Sequence, residues 1–136
     1  MSTDLKIPTG ITEGLYKEKG SKFFAFARPL HSSDELKEIL NTYKKEHHKA
    51  KHICFAYRIG EKGENFRAND NGEPPGTAGR PILRQIEAAG FTDTLVVVVR
   101  YFGGTLLGTG GLANAYKTAA QEALNAASEQ LKDSCK

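Results

Sequence analysis

Nine of the 14 glycines in this chain of 136 residues fall between Gly72 and Gly111. Glycine enters left-handed backbone freely and lets two segments touch without a Cβ between them. A stretch so rich in it needs backbone that other residues cannot supply, for sharp turns or close packing. The glycines form two groups, at 72–79 and 103–111, each leading into an apolar, periodic segment.

A strand, a glycine-rich loop and then a helix present free N–H groups to an anion. The helix N-terminus adds roughly half a positive charge. Residues 103–111 have this layout, so Gly103, Gly104, Gly108, Gly110 and Gly111 are candidate anion contacts. Arg100 before the loop, and Arg80 at the other glycine group, are candidate side-chain partners. The plainer alternative is that these glycines serve only tight turns and close packing. There is no G-x-x-x-x-G-K-[ST] loop. Gly108, Gly110 and Ala113 match G-x-G-x-x-A, but no strand follows to carry a ribose-binding acid.

The rest of the chain reads as ordinary secondary structure. Residues 11–30 hold two strands joined near Gly20, with Phe24 and Phe26 on one face. Ser32, Ser33, Asp34 and Glu35 form a capping box. Leu36, Ile39, Leu40 and Tyr43 then make one helix face. A strand at 53–59 turns at 60–63 into a short antiparallel partner at 65–68. Residues 70–80 are a loop, and Pro81 opens a helix that Gly90 ends. The apolar run Leu95 to Val99 predicts a strand covered on both faces, in the middle of a sheet. An alanine-rich helix is expected from about Leu112 to Leu131, close against that sheet. The order is β-β-α-β-β-α-β-α in one domain, and one sheet with packed helices, class α+β, fits it best.

Apolar residues make up 39% and charged residues 26%, a globular balance that argues against disorder. No apolar run approaches the roughly 20 residues of a membrane helix. Cys54 and Cys135 show no paired spacing, and residues 1–9 lack a signal segment, so a reduced, cytoplasmic protein is expected. Net charge is only +3, but its distribution is uneven. Lys44, Lys45, His48, Lys49, Lys51 and His52 cluster after the first helix, and with Arg84 they are candidate contacts to a nucleic-acid backbone. The plainer reading of that cluster is a solvated helix end. His47, His48 and His52 lack an acid or thiol to complete a metal set, so neither metal nor cofactor is assigned. Asp70 and Glu73 are read as a turn-maker and a solvated acid rather than an acid–base pair. Cys54 is read as a core thiol. Tyr101 and Phe102 are read as core, with base stacking as the alternative.

Two blocks, NGEPPGTAGRP at 71–81 and VVRYFGGTLLGTGGL at 98–112, closely resemble the signature of the IMPACT (YigZ-like) family. The likeness extends from KEKGSKF at 17–23 through His47–His52 to about Ala127. The resemblance implies the fold of the second domain of ribosomal protein S-five, a two-layer α+β sandwich with a left-handed β-α-β crossover. It also implies association with translation, with RNA or a ribosome-associated surface as partner, and it supplies no catalytic residue. Eukaryotic members resemble regulators that restrain a starvation-sensing kinase by competing for its activator. Bacterial members usually add a ferredoxin-like C-terminal domain, whereas residues 1–136 read as the N-terminal domain alone. Asn71 stands where the family usually has Asp, and Ala113-Asn114 where an apolar and a basic residue are usual. The resulting expectation is a non-enzymatic, translation-associated binding module. The alternatives are a phosphate or nucleotide site at the 103–111 loop and a protein-interaction regulator of that kinase pathway.

Overall fold

The apolar run at 95–99 becomes the spine of the molecule. In the computed structural model, which describes residues 4–134, it lies within β5 (Thr94–Tyr101), and Leu95 to Val99 are wholly buried. β-Branched side chains suit a pleated surface packed on both sides, and hence a central strand. β5 pairs antiparallel with β2 (Ser21–Pro29) on one side and β3 (His52–Ile59) on the other. β1 (Thr12–Glu18) and β4 (Asn65–Asn69) complete the order β1-β2-β5-β3-β4. The helices are α1 (Leu36–Glu46), α2 (Gly79–Ala88) and α3 (Gly108–Ser134). The element order is the one expected, and so is the α+β class. Cys135 lies outside the described residues, as do residues 1–3.

Alternation along β5 divides the core. Val96 and Val98 face α2 and α3, together with Phe23, Ile82, Tyr116 and the alanine stripe of α3. Leu95, Val97 and Val99 face α1, through Leu36 and Tyr43. The two expected layers are therefore the sheet and the α2–α3 pair, and α1 adds partial cover to the opposite face. α3 lies so close to β1 that a Cβ on Gly14 would sit 2.5 Å from the backbone nitrogen of Ala123. The Thr12 hydroxyl donates to the Ala123 carbonyl at 2.8 Å. The small side chains of the stripe make this approach possible.

Local signals act where the sequence places them. Lys19 and Gly20 both take positive φ, at 47° and 85°, and form the two-residue turn that joins β1 to β2. Ser32 Oγ accepts from the Asp34 N–H and Glu35 reaches back to the His31 N–H, so the expected box is shifted by one residue and caps a short 3-10 turn (Ser33–Glu35) that leads into α1. Two helix starts differ: α2 begins at Gly79, two residues before Pro81. α3 starts at Gly108, four residues before the expected Leu112, so Gly108, Gly110 and Gly111 form its first turn rather than a loop. First-turn N–H groups have no intrahelical partner, so glycine is tolerated there more easily than further along.

Candidate functional site

The site grows from the antiparallel pairing of β3 with β5, which sets His52 opposite Arg100 on the face that α3 covers. Tyr116 of α3 descends onto the same spot. The loop at residues 70–78 folds over the end of the sheet and drops Glu73 between them. Arg100 Nη1 donates to Glu73 Oε1 at 3.0 Å and to Oε2 at 2.7 Å. The Tyr116 hydroxyl donates to Oε2 at 2.5 Å, and His52 Nε2 lies 3.4 Å from Oε1. Three hydrogen bonds from Arg100 and Tyr116 thus hold the carboxylate, and the His52 ring stands beside it. His52 Nδ1 is 2.7 Å from the Asn71 carbonyl oxygen, which can only accept, so this nitrogen carries a proton. Cys54 Sγ sits 3.0 Å from the Asp70 carbonyl oxygen and 3.4 Å from the Tyr116 hydroxyl.

This cluster is closed to solvent. Glu73 is 6% exposed, Arg100 5%, Tyr116 and Cys54 0%. Burial pushes the Cys54 thiol up to about 12, helped by the nearby Glu73 and Asp70 carboxylates. Burial also pushes the Tyr116 phenol far up. Cys54 is therefore a protonated core thiol, as expected, and not a nucleophile. Glu73 is not the solvated acid of the sequence reading. An enclosed carboxylate held by Arg100 and Tyr116 beside His52 anchors the loop, because removing either ion would leave the other buried and uncompensated.

Asp70, three residues earlier, has a different task. Its Oδ1 accepts from the N–H groups of Ala78 and Gly79 at 3.1 and 2.9 Å, and its Oδ2 from Gly76 at 3.0 Å. The chain thus fills the N-terminus of α2 with its own anion. The turn-making role expected of Asp70 extends to capping a helix nine residues away.

Above the buried pair, the same end of the sheet is open to solvent on its other face. Lys17 and Lys22 stand directly opposite each other across β1 and β2, and Lys22 also pairs with Tyr101. Both lysines are exposed, and among the described residues neither has a carboxylate partner. Like charges facing across a ladder are unfavourable. Beside them Lys22, Phe24, His47, Tyr101 and Phe102 line a pocket of about 470 Å³. His47 Nδ1 and the Tyr101 hydroxyl are 2.6 Å apart, and Phe24 meets Tyr101 edge-on at 5.8 Å. Tyr101 is partly buried against the core, but Phe102 is 46% exposed, contrary to the core reading of that residue. Its ring lies 5.6 Å from the Arg100 guanidinium and bridges the buried pair to the surface.

The sequence-derived candidates scatter around this end. Lys44 and Lys45 are exposed on the last turn of α1, and His48, Lys49 and Lys51 are exposed beyond it. His52 turns inward to Glu73. Arg84 opens onto a separate groove between α2 and α3, beside Lys117 and Asn114. Arg80 is exposed on the first turn of α2, whereas the charge of Arg100 is met by Glu73. Gly103 is locked in place: its N–H donates to Ser21 Oγ, and a Cβ there would sit 2.1 Å from the Gly20 carbonyl carbon. Gly104, Gly108 and Gly110 have open space around them. Sequence reasoning missed Lys17 and Lys22 as a pair, although a two-residue Lys-Gly turn already sets that register. It also missed that His47 and Phe24, both half-buried, line the pocket beside that pair.

These features define a class: a small α+β domain whose buried ion pair props up a cationic, aromatic sheet end. The model of the Impact N-terminal domain matches residues 19–124, and the chain belongs to the IMPACT family. It is 44% identical over 105 residues to the IMPACT family member YvyE of Bacillus subtilis, covering 77% of this chain and 48% of that protein. It is 47% identical over 107 residues to an IMPACT family member of Thermus thermophilus, covering 79% and 56%. YigZ of Escherichia coli is 35% identical over 128 residues, covering 93% and 63%. The chain thus spans about half to three fifths of these relatives. Among solved structures, a crystal structure of a hypothetical protein superposes with a TM-score of 0.85 at 34% identity, over 92% of this chain and 62% of that one. The two-domain translational regulator Yih1 superposes with a TM-score of 0.54 at 26% identity, over 93% and 51%.

Proposed function

We propose that this domain binds single-stranded RNA, free or on a ribosome-associated surface, and acts in translational regulation. The observation that carries the reading is the open sheet end, where unpaired Lys17 and Lys22 adjoin the aromatic pocket of Phe24, Tyr101 and Phe102. Single-strand binding combines a cationic track with aromatic faces on which bases stack. Lys44, Lys45, Lys49 and Lys51 extend the positive field past the end of α1. Family membership and the likeness to a translational regulator support the biological setting.

The test is fluorescence anisotropy with a labelled single-stranded oligoribonucleotide at several salt concentrations. Affinity should fall steeply with salt as phosphate contacts release counterions. Phe102→Ala should weaken binding about tenfold or more through lost stacking. Lys22→Gln should weaken it and flatten the salt slope. Binding that ignores salt, or is absent at low salt, sinks the reading.

A further inference from the structure

A second cationic surface lies on the other side of α1. Between α1 and the edge strand β4 the sheet is uncovered, and the gap forms a trough of about 410 Å³. α1 presents Lys37, Asn41 and Lys44 to it at helical spacing. β4 contributes Arg67 and Asn69 from the opposite wall, and Asn71 closes one end. The lining holds three cations and no carboxylate. Among the described residues, no acid pairs with Lys37, Lys44 or Arg67. Asp70, an acid close by in sequence, is turned away to cap α2.

The neutral groups have the same polarity. Asn69 Oδ1 accepts from the Asn71 N–H at 2.8 Å, and Asn71 Oδ1 from the Ile53 N–H at 3.4 Å. With both carbonyl oxygens engaged, each side chain has its Nδ2 donors left for a ligand. The Arg67 guanidinium is steadied 5.6 Å from the Phe55 ring on the trough floor. A cleft that combines three uncompensated cations with amide donors raises the local concentration of anions. Guanidinium, ammonium and amide donors together suit phosphate oxygens.

We infer that the trough between α1 and β4 is a phosphate-binding site, occupied by the phosphate of a mononucleotide-sized ligand or of an RNA backbone. Its volume falls in the usual range for small-molecule sites. Of the residues given to RNA binding above it uses only Lys44, while Arg67 belongs to the trough alone and Phe102 to the sheet end alone, so the two readings can fail separately.

The test is a chemical-shift titration of the 136-residue chain in three arms: inorganic phosphate, adenosine 5′-monophosphate and a single-stranded oligoribonucleotide. Shifts should concentrate at Lys37, Asn41, Lys44, Arg67 and Asn69. The double variant K44Q/R67Q should bind about tenfold or more weakly, since each charge-assisted bond is individually strong. Both positions are exposed, so its melting temperature should match that of the parent. A response to phosphate or the mononucleotide assigns a free ligand, and a response to the oligonucleotide alone assigns a polymer backbone. F102A should leave trough shifts intact while weakening the RNA surface. No shift at the trough in any arm, or unchanged affinity in K44Q/R67Q, overturns the proposal.

Discussion

The two glycine-rich segments have similar composition and opposite physical situations. The first, around residues 70–79, is held from within. Glu73 enters the core to meet Arg100, Asp70 caps α2, and a Cβ on Gly79 would sit 2.5 Å from the backbone nitrogen of Asn69. The second is fastened at Gly103 and then opens: Gly104, Gly108 and Gly110 have nothing within 4 Å of an added Cβ. In the first segment Gly79 allows close packing, while Gly72 and Gly76 supply positive φ for the turns of a pinned loop. In the second it leaves bare backbone beside an exposed helix start. A glycine count cannot tell these apart, because the difference lies in what approaches from elsewhere in the chain.

The contrast can be broken most severely at Glu73. Glu73→Ala leaves Arg100 buried without its acid, and should lower stability by about 3–5 kcal/mol in urea denaturation. A loss under about 1 kcal/mol would show that the pair does not anchor the loop. Gly79→Ala should follow, at about 1–3 kcal/mol, through overpacking against the β4 backbone. Asp70→Ala exposes the start of α2 and should lower stability by about 0.5–2 kcal/mol, the range for a lost cap. Gly110→Ala should instead be neutral or stabilising by about 0.4–1 kcal/mol, because it stiffens the unfolded chain at a site with room. If Gly110→Ala destabilised as much as Gly79→Ala, the two segments would be physically alike.

The finest probe is pH. Cys54 holds its proton more tightly folded than unfolded, so it has no effect on stability well below its ordinary value of 9.0. Stability should decline as pH rises above that value toward about 12. The raised Tyr116 phenol adds a decline of the same sign. Melting temperatures between pH 8 and 10 should therefore fall, and Cys54→Ala should flatten the slope. An equal slope in both proteins would place the thiol in a wetter setting than the structure does.

Much of the fold was legible because local signals agreed with the tertiary structure. The Lys19-Gly20 turn, the Ser32–Glu35 cap and the 95–99 run each act as their residue types dictate. The site was less legible. Glu73 lies in a polar, proline-rich loop that reads as solvent-exposed, and its partners Arg100 and Tyr116 are 27 and 43 residues away. No local pattern reports an ion pair closed across three elements. Phe102 follows an apolar strand and reads as core, but the chain leaves β5 after Tyr101, so burial no longer follows the alternation. α3 starts before Leu112 because a first turn admits the glycines that a loop also favours.

The facing lysines at the tip of the β1–β2 hairpin have a mechanical consequence. Lys17 and Lys22 push apart across two strands that the ladder holds together. The tip is therefore a weak point in the zipper, where backbone amides should open and exchange with solvent sooner than those further along β2. An anion seated between the two ammonium groups would supply the missing rivet. Occupancy of this surface should be visible as slower exchange at the tip, even for a ligand that moves no element of the fold.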